Sequence, residues 1–321
     1  MIHQIFDIAL SSNFPLPGLP ELAVARPDWN VVLENGPNPD NDLNWFHQCL
    51  TEDGREIMSA AREGETYTLY FQGLAHFSID FPSKKISIYP EDNCPRTTLA
   101  HLLMDQVMPR VLCHQGRVVI HASAIALADG RALAFTGPSG RGKSTLALAM
   151  QKAGFRLLSD DCLLLERRES SVMAIPAYAS VRLWPDSLEA MLGQGEAVGL
   201  DISEMAHYTS KKQVFVNQPE SIADQHGHPL VRVFSLAPSR LEPPEPSKNE
   251  DLRVDPVSGS AAIMTLIESL FALDVKRKSA VRRSFDSAGK IAAAVPVFSA
   301  SYPRDFKKLP QLVSLLTKVT N

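Results

Sequence analysis

The sequence predicts an α/β protein in two parts: a small N-terminal α/β domain over residues 1–97 and a larger phosphate-binding domain over 98–321. Three observations predict it. Residues 66–90 alternate apolar and polar side chains, the period of strands with one buried face. A glycine-rich run, GPSGRGKST (137–145), sits between an apolar strand pattern and a helical one. Between these regions PEDNCPRTT (90–98) breaks the periodicity, as a linker would. With 321 residues, 45% hydrophobic and 21% charged, the chain can bury a sizeable core or two ordinary ones.

The elements follow in order. PNPDND (37–42) is a loop by composition. Tyr67, Leu69 and Phe71, then Phe77, Ile79 and Phe81, then Ile86 and Ile88 give three antiparallel strands, with PSKK (82–85) as a turn. Residues 98–116 space Leu99, Leu102, Leu103, Val107 and Val111 as a helix, bent at Pro109. RVVIHASAIALADGRALAFTG (117–137) reads as strand, turn at ADG, and a strand running into the glycine loop. KSTLALAMQKAG (143–154) is a helix ended by Gly154, FRLLSD (155–160) a strand, and CLLLERRESSVMAIP (162–176) a strand with a polar turn. VRVFSLAP (231–238) is a later strand, and the proline- and charge-rich 239–259 a surface loop. SAAIMTLIESLFAL (260–273) is an apolar helix, and 295–319 ends in strand, turn and helix.

Bulk properties narrow the function. A formal charge of −4 argues against nucleic acid or an anionic membrane as the main partner. Cys49, Cys94, Cys113 and Cys162 form no CxxC pair and read as isolated reduced thiols in a cytoplasmic protein. MIHQIFDIALSSNFPLPG lacks a basic leader, so a signal peptide is not expected, and no run is long enough to span a membrane.

Gly137, Pro138, Ser139, Gly140, Arg141, Gly142, Lys143, Ser144 and Thr145 match GxxxxGK[ST], the Walker A P-loop, in full. Glycines let successive N–H groups turn inward, and the helix N-terminus adds partial positive charge. Lys143 would reach the β- and γ-phosphates of ATP, and the Ser144 hydroxyl would ligate Mg²⁺. The loop alone suits GTPases, motor ATPases and small kinases. No NKxD-type base reader follows, and the next strand ends in Asp160-Asp161 rather than Asp-Glu.

Asp160 lies 17 positions after Lys143, at the strand end that faces the ligand crevice of an α/β sheet. One carboxylate could hold the metal while the other accepts a proton from an attacking hydroxyl. Neighbours in a strand point to opposite faces, so the two should not share one task. His121 reads equally as a satisfied sheet-edge histidine and as a site residue. Arg182 reads equally as a phosphate or acidic-substrate contact and as a surface arginine.

IHASAIA (120–126), GPSGRGKST, FRLLSDDCLLL (155–165) and SVRLWPD (180–186) together resemble the HPr kinase/phosphorylase-related proteins, whose fold is like phosphoenolpyruvate carboxykinase. The resemblance covers about residues 98–321. It implies a cytoplasmic serine kinase using ATP and Mg²⁺: P-loop residues on the phosphates, Asp160 as general base, Asp161 with Ser144 on the metal, and His121 near the transferring phosphate. It also implies an acceptor serine on a protein or peptide, ribosomally made peptide precursors among them, and a homo-oligomer. A small-molecule hydroxyl kinase and a nucleotide-binding regulator without transfer are the alternatives. The chain departs from the family where Ala122 replaces a glycine after the histidine, and where AYASVRLWPDSLEAM (177–191) lacks a glycine-rich signature. HPr as substrate and the reverse phosphorylase reaction are therefore not part of the expectation.

Other stretches read more plainly. Lys211 and Lys212 suit a solvated loop better than a flap over phosphates. His226 and His228 lack the further ligands of a metal site. Lys276, Arg277, Lys278, Arg282 and Arg283 read as a solvated basic helix end. SYPRDF (301–306) carries no assigned chemistry.

Overall fold

The computed structural model describes residues 1–23, 26–36, 43–50, 54–191, 201–204, 211–215, 226–236, 252–303 and 305–319. The expected loop at 37–42 lies outside them, as does most of the one at 239–259.

The first eight strands are β1 (Ile2–Ile5), β2 (Ile8–Ser12), β3 (Trp29–Leu33), β4 (Trp45–Leu50), β5 (Glu56–Glu63), β6 (Thr66–Phe71), β7 (Ala75–Asp80) and β8 (Lys85–Pro90). They form one sheet in the order β1-β2-β3-β8-β7-β6-β5-β4. The β2–β3 and β3–β8 pairs are parallel and the rest antiparallel. The alternating pattern sets the register: Tyr67 pairs Ile79, Leu69 pairs Phe77, and Phe77 pairs Ile88. All five are fully buried. Each contributes about 1.5–3 kcal/mol by leaving water.

The expected N-terminal unit is corrected here: the described part of residues 1–90 holds strands and no helix. Its helical layer comes from beyond residue 90, as α1 (Arg96–Leu102), a π-helical turn (Leu103–Val107) and α2 (Met108–His114). Leu99, Leu103, Val107 and Val111 from this layer share one apolar cluster with Leu69 and Phe77 of the sheet. Val119, Leu164 and Ile175 join the same cluster, so the core runs on past residue 98. Pro109 sits in the first turn of α2. It cannot donate to the carbonyl one turn back, and the π turn before it absorbs that break.

The second sheet holds β9 (Val118–Ile120), β10 (Ala122–Ala126), β11 (Ala132–Thr136), β12 (Arg156–Ser159), β13 (Leu163–Arg168) and β14 (Ser171–Pro176). β15 (Ser180–Leu183), β16 (Asp201–Glu204) and β17 (Lys212–Phe215) make a separate antiparallel sheet in the order β15-β17-β16. β18 (His228–Ser235), β19 (Arg253–Val257) and β20 (Val297–Ser301) return to the second sheet, whose main path is β12-β10-β11-β18-β14-β13-β9. β18 pairs in parallel with both β11 and β20. Residues 253–257, expected as loop, form β19 instead. Among the described strands β19 pairs only with β20, so Pro256 sits on an edge where its missing N–H costs little.

Helices α3 (Lys143–Lys152), α4 (Pro185–Met191), α5 (Gly259–Ser269), α6 (Lys278–Ala292) and α7 (Leu309–Lys318) complete the described fold. Leu146 and Met150 of α3 pack in one cluster with Phe135 of β11 and Leu312 of α7. Two ion pairs stitch the parts together. Arg62 Nη1 meets Asp274 Oδ2 at 3.0 Å, where Tyr67 Oη also donates at 3.2 Å. Arg117 grips both oxygens of Asp7 at 2.6 Å. No described helix is long and apolar enough to cross a membrane.

Candidate functional site

β11 delivers the chain into the P-loop, and α3 leaves it. Gly142, at φ +87°, precedes α3, and no side chain caps its first turn. A Cβ at Gly142 would lie 2.6 Å from Tyr302 Oη. Tyr302 Oη donates to the Arg141 carbonyl at 3.0 Å, so the SYPRDF stretch braces the loop. Pro138, Ser139, Gly140 and Arg141 are exposed, and Thr145 is half-buried. Lys143 is buried instead, donating to the Gly137 and Pro138 carbonyls at 2.7 and 3.2 Å. Burial lowers its pKa, against the opposing pull of Asp161 and Asp160. Left-handed glycines, an uncapped helix start and a buried lysine fit a polyphosphate.

β12 ends at Ser159, so the acidic pair lies just beyond the strand. Asp161 adopts φ +67°. The expected strand alternation therefore does not apply to these two residues: a left-handed turn, which Asp tolerates better than branched residues, sets their directions. Asp160 Oδ1 accepts from Ser123 Oγ, and Oδ2 accepts from the Arg182 amide at 3.1 Å. The nearby Ser144 hydroxyl also favours the Asp160 carboxylate. Burial, then the charge of Asp161, raises the Asp160 pKa to about 6.

Asp161 is in the opposite situation. Burial pushes its pKa up, but Arg182, His121 and Lys211 outweigh it and hold the carboxyl well below its usual range. Arg182 Nε donates to Asp161 Oδ2 at 2.5 Å, and Nη2 pairs with the same oxygen. Arg182 is itself buried, which removes the surface reading.

His121 follows β9, with its backbone N–H on the Ser269 carbonyl at 2.6 Å. Its Nδ1 lies 2.7 Å from the Asp161 carbonyl, and Nε2 lies 3.9 Å from Asp161 Oδ1. A carbonyl only accepts, so Nδ1 carries the proton. Burial and Lys143 push its pKa down to about 4, leaving Nε2 with a free lone pair near neutral pH. His121 is thus part of the acidic cluster.

The structure brings Lys143, Ser144, Asp160, Asp161, Arg182 and His121 together. Three further members were missed. Ser123 lies inside IHASAIA but carries no motif signal. Lys211, read as a loop residue, interacts with Asp161 and Asp160 and lies 5.3 Å from the Trp184 ring. Tyr302 lies 161 positions from the carbonyl it holds. His228 Nδ1 instead meets the Gly130 carbonyl at 2.9 Å. Among the described residues no three His, Cys, Asp or Glu side chains form a metal cluster. Mg²⁺ held by a hydroxyl, carboxylates and phosphate oxygens would not need one.

No protein-family model and no curated protein matches the chain. Among solved structures, an HPr(Ser) kinase/phosphatase from Coxiella burnetii is similar at 14% identity, over 63% of this chain and 95% of that one. The TM-score is 0.30, too low for that likeness to carry an argument.

Proposed function

We infer that the protein transfers the γ-phosphoryl group of ATP to a hydroxyl, with a serine of a protein or peptide as acceptor. One observation carries this reading: the P-loop serine, Ser144, lies near enough to Asp160, the carboxyl of higher basicity, to act on its pKa. That proximity sets a proton acceptor against the end of the phosphate cradle. Lys143 would leave its loop carbonyls for the phosphates. Ser144 and Asp161 would hold Mg²⁺, which would supply charge stabilisation on the phosphates when bound.

Asp160 accepts the hydroxyl proton, oriented by Ser123 and the Arg182 amide. A group poised near pH 6 is a better acceptor than Asp161, whose charge is engaged by Arg182. Asp161 keeps the cationic groups Arg182 and Lys211 in place beside the transferring group. Catalysis is then mostly positioning and electrostatics.

The test supplies γ-labelled ATP and Mg²⁺ with extract from the source cells, and follows label in serine-containing polypeptides. Wild type should label a polypeptide and Asp160→Asn should not. Label confined to compounds below peptide size would overturn the acceptor class. ATP·Mg²⁺ binding with no labelling at all would overturn transfer.

A further inference from the structure

Beneath the carboxylate pair runs a row of buried polar groups that the transfer step leaves unused. Arg182 Nη1 lies 2.6 Å from His101 Nε2. His101 Nδ1 lies 2.7 Å from Asp105 Oδ2. The same oxygen accepts from Tyr178 Oη at 2.7 Å, and Cys162 Sγ faces Asp105 Oδ1 at 3.6 Å. His101 and Asp105 are 2% and 1% exposed. Packing α1 on the sheet does not require them, because Leu99, Leu103 and Val107 do that.

Hydrogen-bond chemistry orders the row. A guanidinium only donates, so His101 Nε2 must accept. The ring proton then sits on Nδ1, facing Asp105. Burial and the Arg182 charge lower the His101 pKa, which keeps the ring neutral. Arg182 touches both catalytic-site carboxylates, Asp161 through its side chain and Asp160 through its amide. Fixing Arg182 therefore fixes the pair.

We propose that His101 and Asp105 are positioning residues for the carboxylate pair: Asp105 selects the Nδ1–H form of His101, whose bare Nε2 aims the Arg182 guanidinium at Asp161. The proposal rests on the transfer reading above. It also gives the N-terminal sheet a task. His101 lies in α1 and Asp105 in the π turn, four positions on, and both elements pack in that sheet's core. The sheet thereby holds the site from below.

The test has two arms. The first measures Mg²⁺-dependent ATP hydrolysis, with water as acceptor, in the full chain. His101→Leu removes the acceptor for Arg182, and His101→Gln places an amide oxygen near the Nε2 position. His101→Leu should lower kcat by about 10²-fold with KM for ATP little changed, because Lys143 and the loop are untouched. His101→Gln should recover most of that loss. Equal losses in both variants, or kcat and KM failing together with the folded fraction, would overturn the role. The second arm reads long-range ¹H–¹⁵N spectra of histidine-labelled wild type. An Nδ1–H form of His101 supports the proposal, and an Nε2–H form overturns it, whatever the activity. Hydrolysis by wild type no faster than by Asp160→Asn overturns the transfer reading instead, and the spectrum then decides the row alone.

Discussion

The two large sheets solve different problems with the same element. In the N-terminal sheet, β4 to β8 pair with sequence neighbours, and their inward faces are Tyr67, Leu69, Phe77, Ile79 and Ile88. In the second sheet, β11 pairs β18 and β18 pairs β20, strands drawn from far apart in the chain. Beyond the ends of its β11 and β12 charge is buried: Lys143, Asp160 and Asp161 meet Arg182 of β15, from the separate three-stranded sheet. Local pairing builds a surface that packs. The site strands β10, β11 and β12 themselves pair close in sequence; what comes from elsewhere is Arg182, and chemistry collects where polar groups of separate sheets can satisfy one another.

That contrast can be broken by mutation. The largest effect belongs to the second sheet: Asp160→Asn should cut phosphoryl transfer by about 10²–10⁴-fold while ATP·Mg²⁺ binding persists, as measured by turnover and calorimetry. Lys143→Ala should weaken ATP binding and lower transfer by about 10²–10³-fold. Unchanged transfer in that variant would remove the P-loop from the reading. Leu69→Ala in the N-terminal sheet should cost about 2–5 kcal/mol in denaturant unfolding and leave turnover per folded molecule unaltered. A change in that turnover would show that packing at Leu69 reaches the site through α1 and the π turn, with which it shares a core.

Smaller effects sharpen the boundary between the two. Tyr67→Phe removes one bond to Asp274, which keeps Arg62 as partner, so unfolding should shift by about 0.5–1.5 kcal/mol. His121 has a folded pKa of about 4, below its usual value, so the unfolded chain binds its proton first as pH falls. Its stability contribution is present above the ordinary histidine pKa and is lost as pH drops towards 4. Nucleotide-free wild type should therefore lose stability over that window more steeply than His121→Asn, in parallel thermal melts.

Much of the first sheet was legible, because two-residue alternation and register are the same information. The helix at 98–116 was legible too, but its partner was not. Apolar spacing gives a face, not the surface it meets, so the expected α/β unit became strands covered by a later helix. Strand β19 hid behind the proline and charge of its segment, and edge pairing with β20 overrode composition. At the site, Lys143, Ser144, Asp160 and Asp161 carried motif signals. Ser123, Lys211 and Tyr302 did not, since a lone serine, lysine or tyrosine has no pattern until the fold supplies its neighbour.

The sequence by itself determined the strand faces, the phosphate loop and the presence of an acidic pair, because each rests on spacing within a few residues. The tertiary structure decided which carboxyl keeps a proton near pH 6 and which is held as an anion. Asp160 and Asp161 are adjacent and chemically alike. Both are buried, but the Arg182 guanidinium reaches Asp161 alone, while burial and the neighbouring Asp161 charge raise Asp160 against the pull of its serine hydroxyls, and those partners lie a strand, a loop or a helix away.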